Sequence, residues 1–111
     1  MNVFDIFIAY VSWGDGGKKR PVLILGQRAD SVMVFNITTR YKEKSEDIRR
    51  KYFIINDWQQ AGLDRESYID TNDTVTLPIS SVDLANPVGT LTESDVQRLV
   101  EFLSRGITLD T

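Results

Sequence analysis

The hydrophobic pattern of this 111-residue chain changes period once, near its C-terminal end. Before residue 92 the apolar residues occur in short runs rich in β-branched and aromatic side chains, which is typical of strands. After that point apolar residues recur at i, i+3, i+4 and i+7, as in an amphipathic helix: Val96, Leu99, Val100 and Leu103. Thr92 is placed to cap this helix, Asp95 completes a variant of the capping box, and Gly106 is placed to end it.

Six earlier segments have the composition of short strands. They are residues 5–13, 21–25, 31–38, 51–55, 67–71 and 75–79. Between the fourth and fifth, "NDWQQAGL" offers Asn56 or Asp57 as a cap and Gly62 as a stop, which predicts one or two helical turns. The sequence therefore predicts a mainly β fold with a C-terminal helix, built on a small, strongly curved antiparallel sheet or barrel.

The composition removes several classes of chemistry. The chain has no cysteine, which excludes disulfides and Cys-based zinc sites, and no histidine, the usual general base. Any catalysis must use carboxylates, Arg, Lys, Tyr or hydroxyl groups, and we expect no metal and no other cofactor. No apolar run is long enough to cross a membrane and the N-terminus does not resemble a signal peptide, so we expect a single cytoplasmic domain over residues 1–111.

Positive charge is concentrated in two segments although the net charge is −3. Residues 40–51, "RYKEKSEDIRRK", hold six basic and three acidic side chains, and "KKR" at 18–20 is a second cluster. Such clusters can hold phosphates because the field is local at physiological ionic strength. On charge alone, a pair of solvated loops is the simpler interpretation.

The stretch "WGDGGKKRPVLIL" joins a glycine-rich segment to a predicted strand. Asp15 precedes Arg20 by five residues, and the planar guanidinium of Arg20 at the strand start suits a phosphate. No helix follows, so the segment is not a P-loop. A plain hairpin with a solvated arginine is the alternative.

Two further polar positions lie at predicted strand ends. Thr38 closes "NIT", where its hydroxyl can bind a phosphate oxygen or only cap a turn. Asp70 and Thr71 lie in the acidic segment "ESYIDTND", for which a polar hairpin is the alternative. This segment lacks the rest of a calcium loop, so it predicts no metal site.

The order of these motifs resembles the MazF/PemK (Kid)-like toxin family of type II toxin–antitoxin systems. The matching segments are "FDIFIAYVSW", "GGKKRPVLIL", "NIT", "AGLDRESYI" and "VGTLTESDVQRLVEFL", which together cover nearly the whole chain. The resemblance implies a CcdB/MazF-like fold, an SH3-like small barrel with a terminal helix, and a homodimer. It also implies a metal-independent, sequence-selective endoribonuclease that cuts single-stranded mRNA and is neutralised by a cognate antitoxin protein.

The resemblance also implies residue roles. The family's arginine after the glycine-rich segment falls on Arg20 and its strand-end threonine on Thr38. Asp15 occupies a position where members often have glutamate, and Asp70 is the match to a later catalytic aspartate. The expected RNA contacts are Trp13, Lys18, Lys19, Arg40, Lys42, Arg49, Arg50 and Thr71, with Tyr41 and Tyr68 as further candidates for base stacking. For Trp13 and Tyr68 a place in the barrel core is the preferred interpretation. Residues 41–49 are candidates for RNA or antitoxin specificity.

RNA carries its own nucleophile, the 2′-hydroxyl group. Arg20 would stabilise the charge at phosphorus, Thr38 would bind a phosphate oxygen, and Asp70 or Asp15 would accept the 2′-hydroxyl proton. The products would be a 2′,3′-cyclic phosphate and a 5′-hydroxyl. The competing interpretations are a CcdB-like toxin that binds DNA gyrase, a non-catalytic SH3-like module that binds RNA or protein, and an inactive family member.

Overall fold

The structure is a computed structural model that describes the backbone of residues 1–109 and the side chains of residues 1–105. Its elements are β1 (Asp5–Trp13), β2 (Gly16–Arg28), β3 (Ser31–Thr38), α1 (Glu46–Arg49), β4 (Tyr52–Ile54), β5 (Tyr68–Pro78), a 3-10 turn (Ile79–Ser81), β6 (Gly89–Thr90) and α2 (Glu93–Leu109). The strands form one curled antiparallel sheet in the order β4-β5-β3-β2-β1-β6. The predicted mainly β fold with a C-terminal helix is confirmed.

The two faces of this sheet carry different cores because side chains alternate along each strand. Leu23 and Ile69 belong to the cluster that packs against Leu99 of α2. Val22 and Val34 point to the opposite face and form a second cluster with residues near the 3-10 turn. Neither α1 nor β6 was predicted, because four and two residues are too few to show a period.

Three predicted boundaries are wrong. Residues 67–71 and 75–79 are parts of one strand, β5, in which residues 71–74 lie opposite Phe35 alone, so a bulge absorbs the polar residues. The strand predicted over residues 21–25 runs from Gly16 to Arg28, so Arg20 lies within this strand and not at its start. The helix α2 continues through Gly106 to Leu109. In "NDWQQAGL" the predicted turn and stop are present, because Ala61 N donates to Asp57 O (3.0 Å) and Gly62 has φ +93°.

The glycine-rich segment is an ordered hairpin. Trp13 pairs with Gly16, which leaves a two-residue turn whose first residue, Gly14, has φ +45°. A glycine in that place is typical of a type II′ turn, which suits the twist of a hairpin. The ring of Trp13 covers Gly16, where an added Cβ would lie 3.3 Å from the indole nitrogen. The glycine at 16 therefore serves cross-strand aromatic packing.

A buried carboxylate ties α2 to the turn over residues 56–62. The hydroxyl of Thr92 accepts a hydrogen bond from Asp95 N (3.3 Å), which confirms the predicted cap. The Asp95 carboxylate, 0% exposed, does not act as the predicted capping box, because it accepts the backbone N–H groups of Asn56 (3.3 Å) and Asp57 (2.9 Å). Arg98 donates to the same carboxylate at 2.6 Å.

The same turn packs backbone to backbone against the segment before α2. A Cβ added to Gly89 would lie 2.1 Å from Ala61 O, and one added to Gly62, which has φ +93°, would lie 2.1 Å from Val88 O. Both positions therefore require glycine. The turn leads directly into residues 63–67, one wall of the site described next.

Candidate active site

A cleft of about 280 Å³ opens where the end of β3 meets the middle of β2. It brings together Arg20 and Thr38, the two residues that the sequence singled out most strongly. Its walls carry five cationic side chains and one carboxylate, Asp64; the cations are Lys18, Lys19, Arg20, Arg40 and Arg65. In a chain of net charge −3 this is a local excess of positive charge suited to a polyanion.

Arg20 lies half-buried on β2 with its guanidinium over the indole of Trp13, 5.8 Å from the ring centroid. Its Nε is buried and has no hydrogen-bond partner among the described residues. Within residues 1–105 no carboxylate forms an ion pair with it, so its charge is available to a ligand. Trp13 is 52% exposed and supports Arg20 from the surface, so the preferred interpretation of Trp13 as a core residue is wrong.

Thr38 is the last residue of β3 and pairs with Tyr68 of β5. Its Oγ1 accepts a hydrogen bond from the backbone N–H of Arg40 at 3.1 Å. Because a hydroxyl both donates and accepts, this bond leaves its proton able to reach a ligand oxygen.

A row of polar side chains crosses three strands beside the cleft. Asn36 of β3 pairs with Asp70 of β5, which pairs with Tyr52 of β4. Asp70 Oδ1 accepts two bonds from Asn72, from N (2.9 Å) and Nδ2 (2.8 Å), while Asn36 Oδ1 is buried without a partner among the described residues. The row thus offers carboxylate, amide and phenol groups side by side.

Tyr52 connects this row electrostatically to Arg20. Burial raises the pKa of its phenol, the Asp70 carboxylate raises that pKa further, and the Arg20 guanidinium lowers it. The strand register agrees with the influence of Asp70, because Tyr52 pairs directly with it. Sequence reasoning missed Tyr52 because residues 51–55 have the composition of a core strand; the aromatic ring beside a charged segment was the only signal.

Asp15 lies apart from these residues. It is exposed in the β1–β2 turn, whereas Arg20 pairs with Ala9 in the middle of the hairpin. Five residues of strand separate their Cα atoms by about 16 Å. Within one protomer the structure does not bring Asp15 to the cleft, and its catalytic role stays a prediction.

The aromatic residues of the charged segment stack on one another. The Tyr41 and Tyr68 rings are nearly parallel with centroids 4.5 Å apart, and Arg49 lies 5.5 Å from the Tyr41 centroid. With Tyr52 and Phe102 of α2, these two tyrosines line a second cavity of about 540 Å³. Tyr68 is therefore a cavity residue at the end of the sheet.

Other expected RNA contacts lie outside the cleft. Arg50 forms an exposed ion pair with Asp47, and Lys42 is exposed in the turn before α1. The Thr71 hydroxyl donates to Lys51 O at 2.6 Å and so joins β5 to the segment before β4. Arg65, in contrast, lines the cleft but was not predicted; its only sequence signal is its place in "AGLDRESYI".

The described residues hold no cluster of three or more acidic side chains arranged for a metal ion. Likewise, no helix within the described part of the chain is long and apolar enough to cross a membrane.

Residues 2–106 match the family model of the PemK-like, MazF-like toxins of type II toxin–antitoxin systems. The chain belongs to this toxin family. The resemblance inferred from the sequence motifs is thereby confirmed, and membership of a type II toxin family implies a cognate antitoxin partner.

A solved structure shows the same fold. The Mycobacterium tuberculosis toxin MazF-mt6 superposes with a TM-score of 0.70 at 24% sequence identity, over 94% of this chain and 96% of that chain. The predicted MazF-like toxin fold is therefore confirmed. No curated protein has a significantly similar sequence.

Proposed function

We propose that this toxin is a metal-independent, sequence-selective endoribonuclease that cuts single-stranded mRNA in the cytoplasm. One observation carries the proposal: the cationic cleft places Arg20, which has no carboxylate partner among the described residues, together with the strand-end hydroxyl of Thr38. A histidine-free site of this kind suits RNA because the substrate supplies its own nucleophile.

The proposed reaction is attack of a 2′-oxygen on the neighbouring phosphorus. Arg20 binds the phosphate and stabilises the charge that develops on it, and Thr38 donates a hydrogen bond to a phosphate oxygen. Asp70 accepts the 2′-hydroxyl proton, oriented by the two bonds that its Oδ1 receives from Asn72. The products are a 2′,3′-cyclic phosphate and a 5′-hydroxyl.

The cations around the cleft hold the RNA backbone. Lys18, Lys19 and Arg40 lie beside Arg20 and follow the phosphates, with Arg65 as an addition from the opposite wall. The exposed ring of Trp13 offers a surface for base stacking. The other expected contacts, Lys42, Arg49, Arg50 and Thr71, belong to the proposal as a secondary, more distant set.

We further propose that the toxin acts as a homodimer and that residues 41–49 contribute to the choice of RNA sequence or antitoxin. Size-exclusion chromatography with light scattering tests the first point. Exchange of residues 41–49 for a short turn, followed by mapping of cut sites, tests the second.

The decisive experiment is digestion of a long single-stranded RNA in EDTA, with mapping of the new ends. We expect discrete cuts with 5′-hydroxyl ends, and a loss of about 10²–10³-fold in rate for Arg20→Ala. Arg28→Ala is the matched control, because Arg28 is an exposed arginine at the far end of the same strand. Intact RNA with the wild type, or equal cutting by Arg20→Ala, would refute the proposal.

Two outcomes would favour the competing interpretations. RNA binding without strand scission would indicate a non-catalytic binding module. Inhibition of DNA supercoiling by gyrase, with RNA left intact, would indicate a gyrase-binding toxin.

A further inference from the structure

We propose that Tyr52 is a further catalytic residue of this site, the group that gives a proton to the departing 5′-oxygen of the cut RNA. The inference rests on the proposed ribonuclease function and completes it, because that function names a base and a phosphate ligand but no proton donor.

The leaving group needs a proton because a free alkoxide is a very poor leaving group in water. Histidine is absent from the sequence. An arginine guanidinium is not deprotonated in proteins, so Arg20 is assigned no proton transfer. Three phenols line the cavity beside the cleft, those of Tyr41, Tyr52 and Tyr68. The Tyr68 hydroxyl donates to Glu66 at 2.9 Å, and Tyr52 is the tyrosine that pairs directly with Asp70.

The sheet register places Tyr52 beside the reacting groups. Tyr52 pairs directly with Asp70, and directly paired residues have Cβ atoms about 5 Å apart on one face. Asp70 pairs in turn with Asn36, which pairs with Val22, two residues along β2 from Arg20. Arg20 and Tyr52 thus approach the Asp70–Asn36 pair from opposite sides on the same face.

Tyr52 is only 8% exposed, but it borders an open cavity. Tyr52 lines the cavity of about 540 Å³ that it shares with Tyr41 and Tyr68. That cavity adjoins the cationic cleft, because Thr38 pairs with Tyr68 across the sheet. RNA bound with its phosphate at Arg20 can extend its next nucleotide into this cavity.

The electrostatic surroundings of Tyr52 beside Asp70 suit a proton donor. Burial and the Asp70 carboxylate raise the pKa of the phenol, so it is protonated at neutral pH. Phenols have a pKa near 10, which is far below the pKa of an unactivated hydroxyl group or of water. Proton transfer from the phenol to the departing oxygen is therefore strongly downhill.

The bonds and protons of the proposed step balance between Asp70 and Tyr52. The bond from phosphorus to O2′ forms while that from phosphorus to O5′ breaks. The 2′-hydroxyl proton passes to Asp70 and the Tyr52 proton passes to O5′. The proton on Asp70 then returns to the Tyr52 phenolate, so both side chains are regenerated and no water or redox partner is consumed.

The test uses two RNA substrates that differ only at the linkage that the wild type cuts. One has the natural 5′-oxygen and the other a bridging 5′-sulfur, which leaves as a thiolate without needing a proton. We expect Tyr52→Phe to slow cleavage of the oxygen substrate about 10²-fold or more, and of the sulfur substrate by less than about threefold. Tyr10→Phe is the control, since Tyr10 is 48% exposed and packs on Gly17.

Equal slowing of both substrates by Tyr52→Phe, or no slowing of either, would overturn the inference while leaving the ribonuclease proposal intact. If the wild type cuts neither substrate, the ribonuclease proposal fails and the inference fails with it. If Tyr52→Phe does not fold, a fluorotyrosine at position 52 keeps the hydroxyl and lowers its pKa. The alkaline limb of the rate–pH profile must then move down with that pKa; an unmoved limb overturns the inference.

Discussion

Replacement of Asp95 tests whether one buried carboxylate holds the cleft wall to α2. Asp95→Ala removes the acceptor of two backbone N–H bonds, at 3.3 and 2.9 Å, and of the Arg98 bond at 2.6 Å. Hydrogen bonds to a charged group contribute about 1.5–3 kcal/mol each. The Arg98 side chain is 37% exposed, so solvent screening limits its contribution to less than about 1 kcal/mol. The two backbone bonds therefore dominate.

We expect Asp95→Ala to lower the free energy of unfolding by about 3–5 kcal/mol. Equilibrium unfolding in urea, followed by tryptophan fluorescence, measures this loss directly. With a slope of about 2 kcal/mol per M, the midpoint falls by about 2 M. Glu93→Gln is the matched control, because it removes an exposed carboxylate from the same helical turn and costs less than about 1 kcal/mol.

Asp95→Asn separates hydrogen bonding from volume. The amide has nearly the same shape but turns an NH₂ group toward one of the facing N–H donors, so we expect it to recover less than about half of the loss. If Asp95→Asn unfolds like the wild type, or if Asp95→Ala costs no more than Glu93→Gln, the role assigned to this carboxylate is wrong.

Three further outcomes follow from the packing of the sheet. Gly89→Ala places a Cβ 2.1 Å from a backbone carbonyl oxygen and should cost about 1–3 kcal/mol in urea unfolding. Gly26→Ala is the control, because a Cβ added there has nothing within 4 Å, and it should change stability by less than about 1 kcal/mol. Equal stability losses for Gly89→Ala and Gly26→Ala would contradict the predicted clash at Gly89. Thr71→Val removes the hydrogen bond to Lys51 O at 2.6 Å, so we expect a stability loss of about 1 kcal/mol. The loss of RNA affinity, measured by fluorescence anisotropy, should be smaller than this stability loss. A larger loss of RNA affinity than of stability would make Thr71 an RNA contact. The folded-state pKa of Tyr52 is raised above its ordinary value of 10.0. Its neutral phenol therefore contributes stability that is present below pH 10 and is lost as the pH rises through the folded-state pKa. Tyr52→Phe should flatten the decline of the urea midpoint above pH 10, and an unchanged decline would exclude Tyr52 as its source.

Much of the fold could be predicted because its signals are local. The bounds of β1 and β3 agree with the predicted segments, since alternation and β-branched residues mark a strand without reference to its partner. The period and cap of α2 are equally local. Predictions were wrong where the pairing with a neighbouring strand sets the bounds of an element. For example, β5 continues through its polar residues because a bulge opposite Phe35 of β3 accommodates them.

The residues of the candidate site also differ in whether the sequence alone could predict their positions. Arg20 and Thr38 could be named from motif order, and the structure places both at one cleft. Asp15 is near Arg20 in sequence, yet the hairpin carries it to the turn, about 16 Å along the strand. Spacing along a chain does not equal proximity in a strand, because each residue adds about 3.3 Å.

The sequence by itself determined the family, the mainly β architecture and the two principal residues of the cleft, because each is written in contiguous segments of the chain. Only the tertiary structure decided that Tyr52, Asp70 and Asn36 form one row and that Asp95 is a buried anchor. Those relations depend on strand register and on the docking of α2. Both are set by side chains far apart in the sequence, and a shift of one residue would turn the row to the opposite face.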